Sequence, residues 1–293
     1  MRSKKIKIWI LVCICGLFCF CPKKFDLKFD LENVQPEDWL EVGAEVLKAV
    51  RPFSPAEETQ LGRMVSARLA GTFGVWKDPA WTEYINLIGR SLAVYTKRTD
   101  IKYRFAILDI DEVNAYSAPG GYIFVSRGLL RELKSEAELA CILGHELGHI
   151  VHKHVIKEVR KSHLWQAGAK LAIAGTELTA EEEKFLEGLT DVAWDTLVVK
   201  GFSKQDEYQA DREGVWLASQ LGYDPSGLIA FLKRLQKVEN KPGEKLKIFF
   251  STHPRPSLRI KQLEKFMKKK GLKPRPKKVF QEEFLEFKAQ HPI

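Results

Sequence analysis

His145-Glu146-Leu147-Gly148-His149 decides how this chain is read, with Glu138-Leu139-Ala140-Cys141-Ile142-Leu143-Gly144 leading in and Ile150-Val151 following. An α-helix turns about 100° per residue, so side chains four apart share one face about 6 Å apart along the axis. His145 and His149 can therefore offer two imidazole nitrogens to a single metal ion. Glu146 projects about a quarter turn away, within reach of a water on that ion without being its ligand. This is the H-E-x-x-H arrangement of zinc hydrolases, in which the ion acidifies water and a carboxylate takes the proton. The flanking Leu139, Ile142, Leu143, Leu147, Ile150 and Val151 are apolar and predict a buried helix. Polar groups in such a helix need partners, because burying them unpaired costs several kcal/mol. Ser135 followed by Glu138 reads as a capping box and starts the helix near Glu136.

Two histidines leave a metal site incomplete, and the next polar helix can complete it. Ser203 with Asp206 reads as a helix N-terminus, and the helix continues through Val215, Trp216 and Leu217 to about Leu221. Glu207 and Asp211 are four apart and share a face. Glu207 is the natural third ligand. Asp211 is then placed to accept the second ring N–H of a ligand histidine and fix its tautomer. The competing reading is a solvated acidic face. Glu181, Glu182, Glu183, Asp191 and Asp195 are rival ligands in a more polar stretch. His253 is one of seven histidines and lies in the proline-stiffened segment Ser251-Thr252-His253-Pro254-Arg255-Pro256-Ser257. Loops are where functional side chains tend to sit. His253 reads as a hydrogen-bond donor to an oxyanion or as the resting occupant of the open metal position, against an ordinary loop histidine bonded to backbone. His152, His154 and His163 lie on or just past the metal helix, and His152, three residues past His149, reads as structural or exposed.

The rest of the chain reads as scaffold. Helices are expected from Pro36 to about Val50, from Ser54-Pro55 to about Ala70, and from Ala80 to about Lys97. Tyr103 to Ile110 and Tyr122 to Val125 alternate as strands, joined through Asn114 and a Pro119-Gly120-Gly121 turn. The edge strand near Asn114 is either a docking edge for an extended substrate or one arm of an ordinary hairpin. Ser162 to Thr176 is apolar but too short to span a bilayer. It reads as a core helix or as an amphipathic one near a membrane. Further helices are expected from Thr179 to about Lys200, from Pro225 to about Lys237, and from Leu258 to Lys270.

Composition bounds the class. The 293 residues are 45% apolar and 29% charged, with a formal charge of +9, as in a globular protein. Cys13, Cys15, Cys19 and Cys21 fall in the N-terminal apolar run and Cys141 alone in the body, so no intrachain disulfide framework is expected. Arg2, Lys4, Lys5 and Lys7 precede the apolar run Ile8 to Cys21, so residues 1–21 read as a signal peptide or short membrane anchor, or as an atypical lipoprotein signal. The body would then lie outside the cytoplasm, in the periplasm or envelope. Residues 22–35 read as a linker, 36–270 as the catalytic domain, and 271–293 as a basic, solvated C-terminal tail. No nucleic-acid partner is expected.

The motifs Asn114-Ala115-Tyr116-Ser117-Ala118-Pro119-Gly120-Gly121, His145 to His149, Phe202-Ser203 with Glu207, Ala210-Asp211 and Gly214, and Thr252-His253-Pro254 occur in one order. From about Trp81 to Leu263 the chain resembles the M48-family metallopeptidases, the group of the CaaX prenyl proteases, the HtpX heat-shock proteases and the BepA-type proteins. The resemblance implies an α+β, predominantly helical gluzincin fold with a small sheet beside the H-E-x-x-H helix. It implies one Zn²⁺ per chain on His145, His149 and Glu207, Glu146 as general base, and endopeptidase activity on unfolded or damaged proteins. Lys204 departs from the family's usual arginine. The absence of a multispan region points to the exported, single-domain branch, and no C-terminal helical repeat domain is expected. The alternative is a latent protease acting as an envelope chaperone or assembly factor with a closed zinc site.

Overall fold

The structure, a computed structural model, describes residues 52–162, 179–238, 240, 243–274 and 278–293. The expected signal or anchor, the linker, the helix over 36–50 and the apolar stretch from residue 163 to Thr176 lie outside the described residues. Helix α1 (Pro55–Phe73) opens on a full capping box, Ser54 with Glu57, and α2 (Pro79–Ala93) on Asp78, whose carboxylate accepts from the Trp81 N–H. Proline stands in the first turn of both, where its missing N–H costs nothing. The strands β1 (Arg104–Leu108), β2 (Ala115–Ala118) and β3 (Tyr122–Ser126) form one sheet in the order β1-β3-β2. β1 runs parallel to β3, while β2 and β3 form an antiparallel hairpin with Tyr116 opposite Phe124. The turn needs Gly120 and Gly121 at φ 70° and 95°, values that side chains resist.

After α3 (Arg127–Glu132) comes α4 (Glu136–Val151), which carries the H-E-x-x-H stretch and is buried from Glu138 to Ile150. Its cap corrects the expectation of a reciprocal box. Ser135 accepts from the Glu138 N–H, but the Glu138 carboxylate reaches back to the Lys134 N–H and takes both Arg234 nitrogens at 2.6 Å. A guanidinium outbids the weaker backbone donor for the carboxylate. Then follow α5 (His154–Lys161), α6 (Ala180–Trp194) with a π-helical extension over Asp195–Lys200, α7 (Lys204–Gln220), α8 (Gly227–Gln236), α9 (Lys247–Thr252), α10 (Pro256–Lys270) and α11 (Lys278–Gln290).

All of these lie in one compact unit, Glu45–Ile293. One apolar cluster gathers α2, α4, α7, α8, α10 and α11 around Trp81, Leu143, Leu217, Leu232, Leu263 and Phe284. A second gathers α1, the sheet, α5 and α6 around Leu61, Leu69, Phe124, Val159 and Leu189. Each such side chain stabilises the fold by about 1.5–3 kcal/mol.

The α4–α7 crossing sets the site. A Cβ at Gly144 would lie 2.9 Å from the Gly214 Cα, and one at Gly214 would lie 2.7 Å from the Cys141 carbonyl oxygen. Only glycine at both positions lets the backbones touch, and this touch brings α7 under the two histidines. The C-terminal segment differs from the solvated tail expected for 271–293. Its helix α11 buries Phe284 against Trp81 and stacks Phe287 on Tyr84 at 4.2 Å. Lys288 donates to the carbonyls of Leu130, Arg131 and Leu133, capping the end of α3. Among the described residues no helix is long and apolar enough to cross a membrane.

Candidate metal centre

Four turns of α4 and five of α7 hold the candidate ligands in rigid, buried positions. His145 Nε2 and His149 Nε2 are 3.0 Å apart. Glu207 enters from α7 with Oε2 3.8 Å from His145 Nε2 and Oε1 3.5 Å from His149 Nε2. These separations suit a tetrahedral shell of roughly 2.0–2.1 Å bonds. Glu207 Oε1 is buried and has no hydrogen-bond partner. Two imidazole nitrogens and a carboxylate with an orphaned oxygen make the donor set a divalent cation takes, so the residues present fit a metal ion. Among the described residues, His145, His149 and Glu207 are the one group that could hold one.

The rivals are engaged elsewhere. Asp191 is 72% exposed and pairs with Arg68 at 2.6 Å. Asp195 pairs with Lys200, and Glu182 completes the capping box of α6. Glu181 and Glu183 lie in the exposed first turn of that helix.

Asp211, one turn beyond Glu207, accepts from His145 Nδ1 at 2.9 Å. Sequence reasoning missed what holds Asp211. Arg259, near the start of α10, donates through Nε at 2.9 Å and Nη2 at 2.6 Å to its two oxygens. Arg259 Nη1 lies 3.7 Å from Glu207 Oε2. Burial disfavours all of these charges, yet they sustain one another. Burial would raise the Asp211 carboxyl, but Arg259 and His145 hold it below the usual range. For Glu207, burial is likewise outweighed, by His253, His149 and Arg259, which hold it well below that range. Burial pushes His145 down, keeping it neutral with Nδ1–H toward Asp211 and the Nε2 lone pair free. The one sequence signal for Arg259 was its place in a proline-capped helix just past His253.

His253 is near the ligands, not bonded to backbone through its ring. Its Nδ1 lies 2.8 Å from Glu207 Oε2, and its ring stacks on Phe249 at 4.7 Å. His154, to which the sequence assigned no role, also lies against the candidate ligands. It is 1% exposed and sits 2.9 Å from His149, Nδ1 to Nδ1. Burial and His149 push it down to about 3. Phe202 stacks on the His149 ring at 4.1 Å.

Glu146 lines a cavity of ≈ 30 Å³ with Asn114, Ala115, His145, His253, Arg259 and an apolar wall that includes Ile142, Leu228 and Phe231. That is room for about one water. A second cavity joins Glu146 and His149 to Ala115, Tyr116 and Ser117 of β2, an edge strand of the sheet.

Residues 79–267 match the model of Peptidase family M48. The chain is 28% identical over 216 residues to the beta-barrel assembly-enhancing protease of Escherichia coli (strain K12), covering 71% of this chain and 43% of that protein. It is 28% identical over 186 residues to the mitochondrial metalloendopeptidase OMA1 of Schizosaccharomyces pombe, covering 64% and 53%. With the OMA1 of Arabidopsis thaliana it shares 32% over 163 residues, covering 56% and 31%. The chain thus spans about half the length of these relatives, or less. The family match takes in both helices that carry the candidate ligands, the edge strand β2 and Arg259, over more than half of the sequence, and the chain belongs to peptidase family M48.

Proposed function

We propose that the chain is a zinc-dependent metalloendopeptidase with one Zn²⁺ held by His145, His149 and Glu207. The observation that carries this reading is Glu207 Oε1, buried, unpartnered and 3.5 Å from His149 Nε2. Bound zinc would supply Lewis acidity toward a substrate carbonyl and toward water. Glu146, in the cavity between the histidines and β2, takes the proton of the attacking water and passes it to the leaving amine. Asp211, clamped by Arg259, holds the His145 tautomer. An extended polypeptide is proposed to lie along β2, whose outer edge carries backbone donors and acceptors for a further strand. A peptide placed there passes Glu146.

The proposed substrates are unfolded or damaged envelope proteins, with the body extracytoplasmic and residues 1–21 as signal or anchor. The positive, apolar N-terminal run supports this location, as does similarity to a relative named for β-barrel assembly. Glu146→Gln is expected to retain zinc and lose cleavage of unfolded casein, while His145→Ala loses both. Cleavage by Glu146→Gln at the wild-type rate would sink the mechanism.

One observation favours a second reading, a latent protease serving as an envelope assembly factor. His253, 2.8 Å from a proposed ligand oxygen, stands where it can close the site. His253→Ala would then raise cleavage. If neither that variant nor the wild type cleaved any polypeptide while both held zinc, the binding role would replace the catalytic one.

A further inference from the structure

Helix α4 ends at Val151, and His152 and Lys153 link it to α5. Lys153 is in the left-handed region (φ 55°, ψ 41°), the one non-glycine residue with positive φ among the described residues. Such a conformation is strained and persists where the surroundings impose it. Its effect is to throw His154 under His149, with Nδ1 facing Nδ1 at 2.9 Å. The other nitrogen of His154 meets two acceptors on α7, Gln209 Oε1 at 3.2 Å and Asp206 Oδ1 at 3.3 Å.

The protons in this chain can be assigned from its far end. The Glu213 carboxylate only accepts, so His152 Nε2, at 3.2 Å, donates to it. His152 Nδ1 then accepts from the Gln209 amide nitrogen at 3.0 Å, which turns Gln209 Oε1 toward His154. Facing two acceptors, His154 Nε2 carries the hydrogen and its Nδ1 carries a lone pair. His149 Nδ1 must therefore be the donor, which leaves the His149 Nε2 lone pair aimed at His145 and Glu207.

We infer that His154 is the positioning residue of His149: it accepts the Nδ1 proton and fixes the tautomer and ring orientation that present Nε2 to the metal. The inference rests on the metal-centre reading above. It also explains why the two histidines are supported differently. His145 has a carboxylate, Asp211, whose charge Arg259 offsets. A second carboxylate beneath His149 would add a further buried negative charge beside Glu207. A neutral imidazole relays the contact to Asp206, near the surface, instead.

The test is zinc affinity of the full chain, by competition with a chromogenic chelator, beside the melting temperature of the zinc-free protein. His154→Phe fills the space and cannot accept. His154→Asn can place Oδ1 where Nδ1 was. The phenylalanine variant is expected to weaken zinc binding about 10–100-fold, with the asparagine variant within about threefold of wild type and the zinc-free melting temperatures of both near wild type. Equal weakening by both variants, or by neither, would overturn the inference and leave His154 a packing residue. Nitrogen NMR of the wild-type imidazoles needs no variant: hydrogen on His149 Nδ1 and none on His154 Nδ1 is expected, and the reverse overturns the assignment. A wild-type chain that takes up no zinc overturns the metal-centre reading itself, an outcome visible before any variant is made.

Discussion

Gly214→Ala tests whether the metal centre depends on the close crossing of α4 and α7. The added Cβ would lie 2.7 Å from the Cys141 carbonyl oxygen and 2.8 Å from the His145 nitrogen, where ordinary contact begins at 3.4 Å. Both neighbours are helix backbone and cannot swing aside, so the helices must part by about 3.4 − 2.7 = 0.7 Å. Overpacking of this kind costs about 1–3 kcal/mol. Alanine's better helix propensity returns about 0.8–1.0 kcal/mol. The net loss is on the order of 1 kcal/mol, a fall in melting temperature of about 2–4 °C for a domain of this size. Zinc affinity should respond more sharply, because ligand distances tolerate only about 0.2 Å, and Glu207 moves with α7. A loss of tenfold or more is expected, on the order of that for a displaced supporting residue. Gly71→Ala is the control, since its Cβ would meet nothing within 4 Å. It should stabilise by about 0.4–1 kcal/mol. The assays are thermal melts with and without zinc and chelator competition. If Gly214→Ala melted above wild type by the same increment as Gly71→Ala and held zinc equally well, the close-crossing argument would be refuted.

Two further outcomes follow from buried groups. Asp211 and Glu207 both titrate below the usual carboxylate range, so their contribution to stability is complete above about pH 4 and drains away as pH falls toward the folded values. In zinc-free protein, Asp211→Asn should make the acid limb of stability shallower and cost about 3–5 kcal/mol at neutral pH. The low end is expected, because Glu207 stays 3.7 Å from Arg259; an unchanged acid limb would remove Asp211 from the network. Phe284→Ala should cost about 3–5 kcal/mol by denaturant melts, since its ring is fully buried between Trp81 and Tyr84; a loss under about 0.5 kcal/mol, a surface-like value, would make α11 a loosely held tail.

The metal helix and its partner were legible because both carry local signals. Ser135 and Ser203 mark their starts, and four-residue spacing fixes which side chains share a face. Glu207 could be proposed as third ligand, with Asp211 beside it, because an incomplete site demands a carboxylate with a supporting neighbour. Arg259 and His154 were not legible in this way. Arg259 reaches Asp211 across 48 residues of sequence, and nothing in a helix of lysines and leucines marks one arginine as buried. His154 depends on a left-handed lysine, a backbone state that a non-glycine residue does not advertise. The parallel pairing of β1 with β3 was likewise hidden, since the hairpin signal specifies only β2 with β3. In the C-terminal segment the lysine run dominated the reading, although Phe284 and Phe287 stand three apart, the spacing of a buried helical face.

The central claim is that α7 completes a metal centre begun on α4. Crystals of the zinc-loaded chain measured at the zinc absorption edge test it directly. The expected result is one anomalous peak per chain, bonded at about 2.0–2.2 Å to His145 Nε2, His149 Nε2 and a Glu207 oxygen. A peak held by other residues, or no peak at these three in protein that carries one zinc per chain, would contradict it.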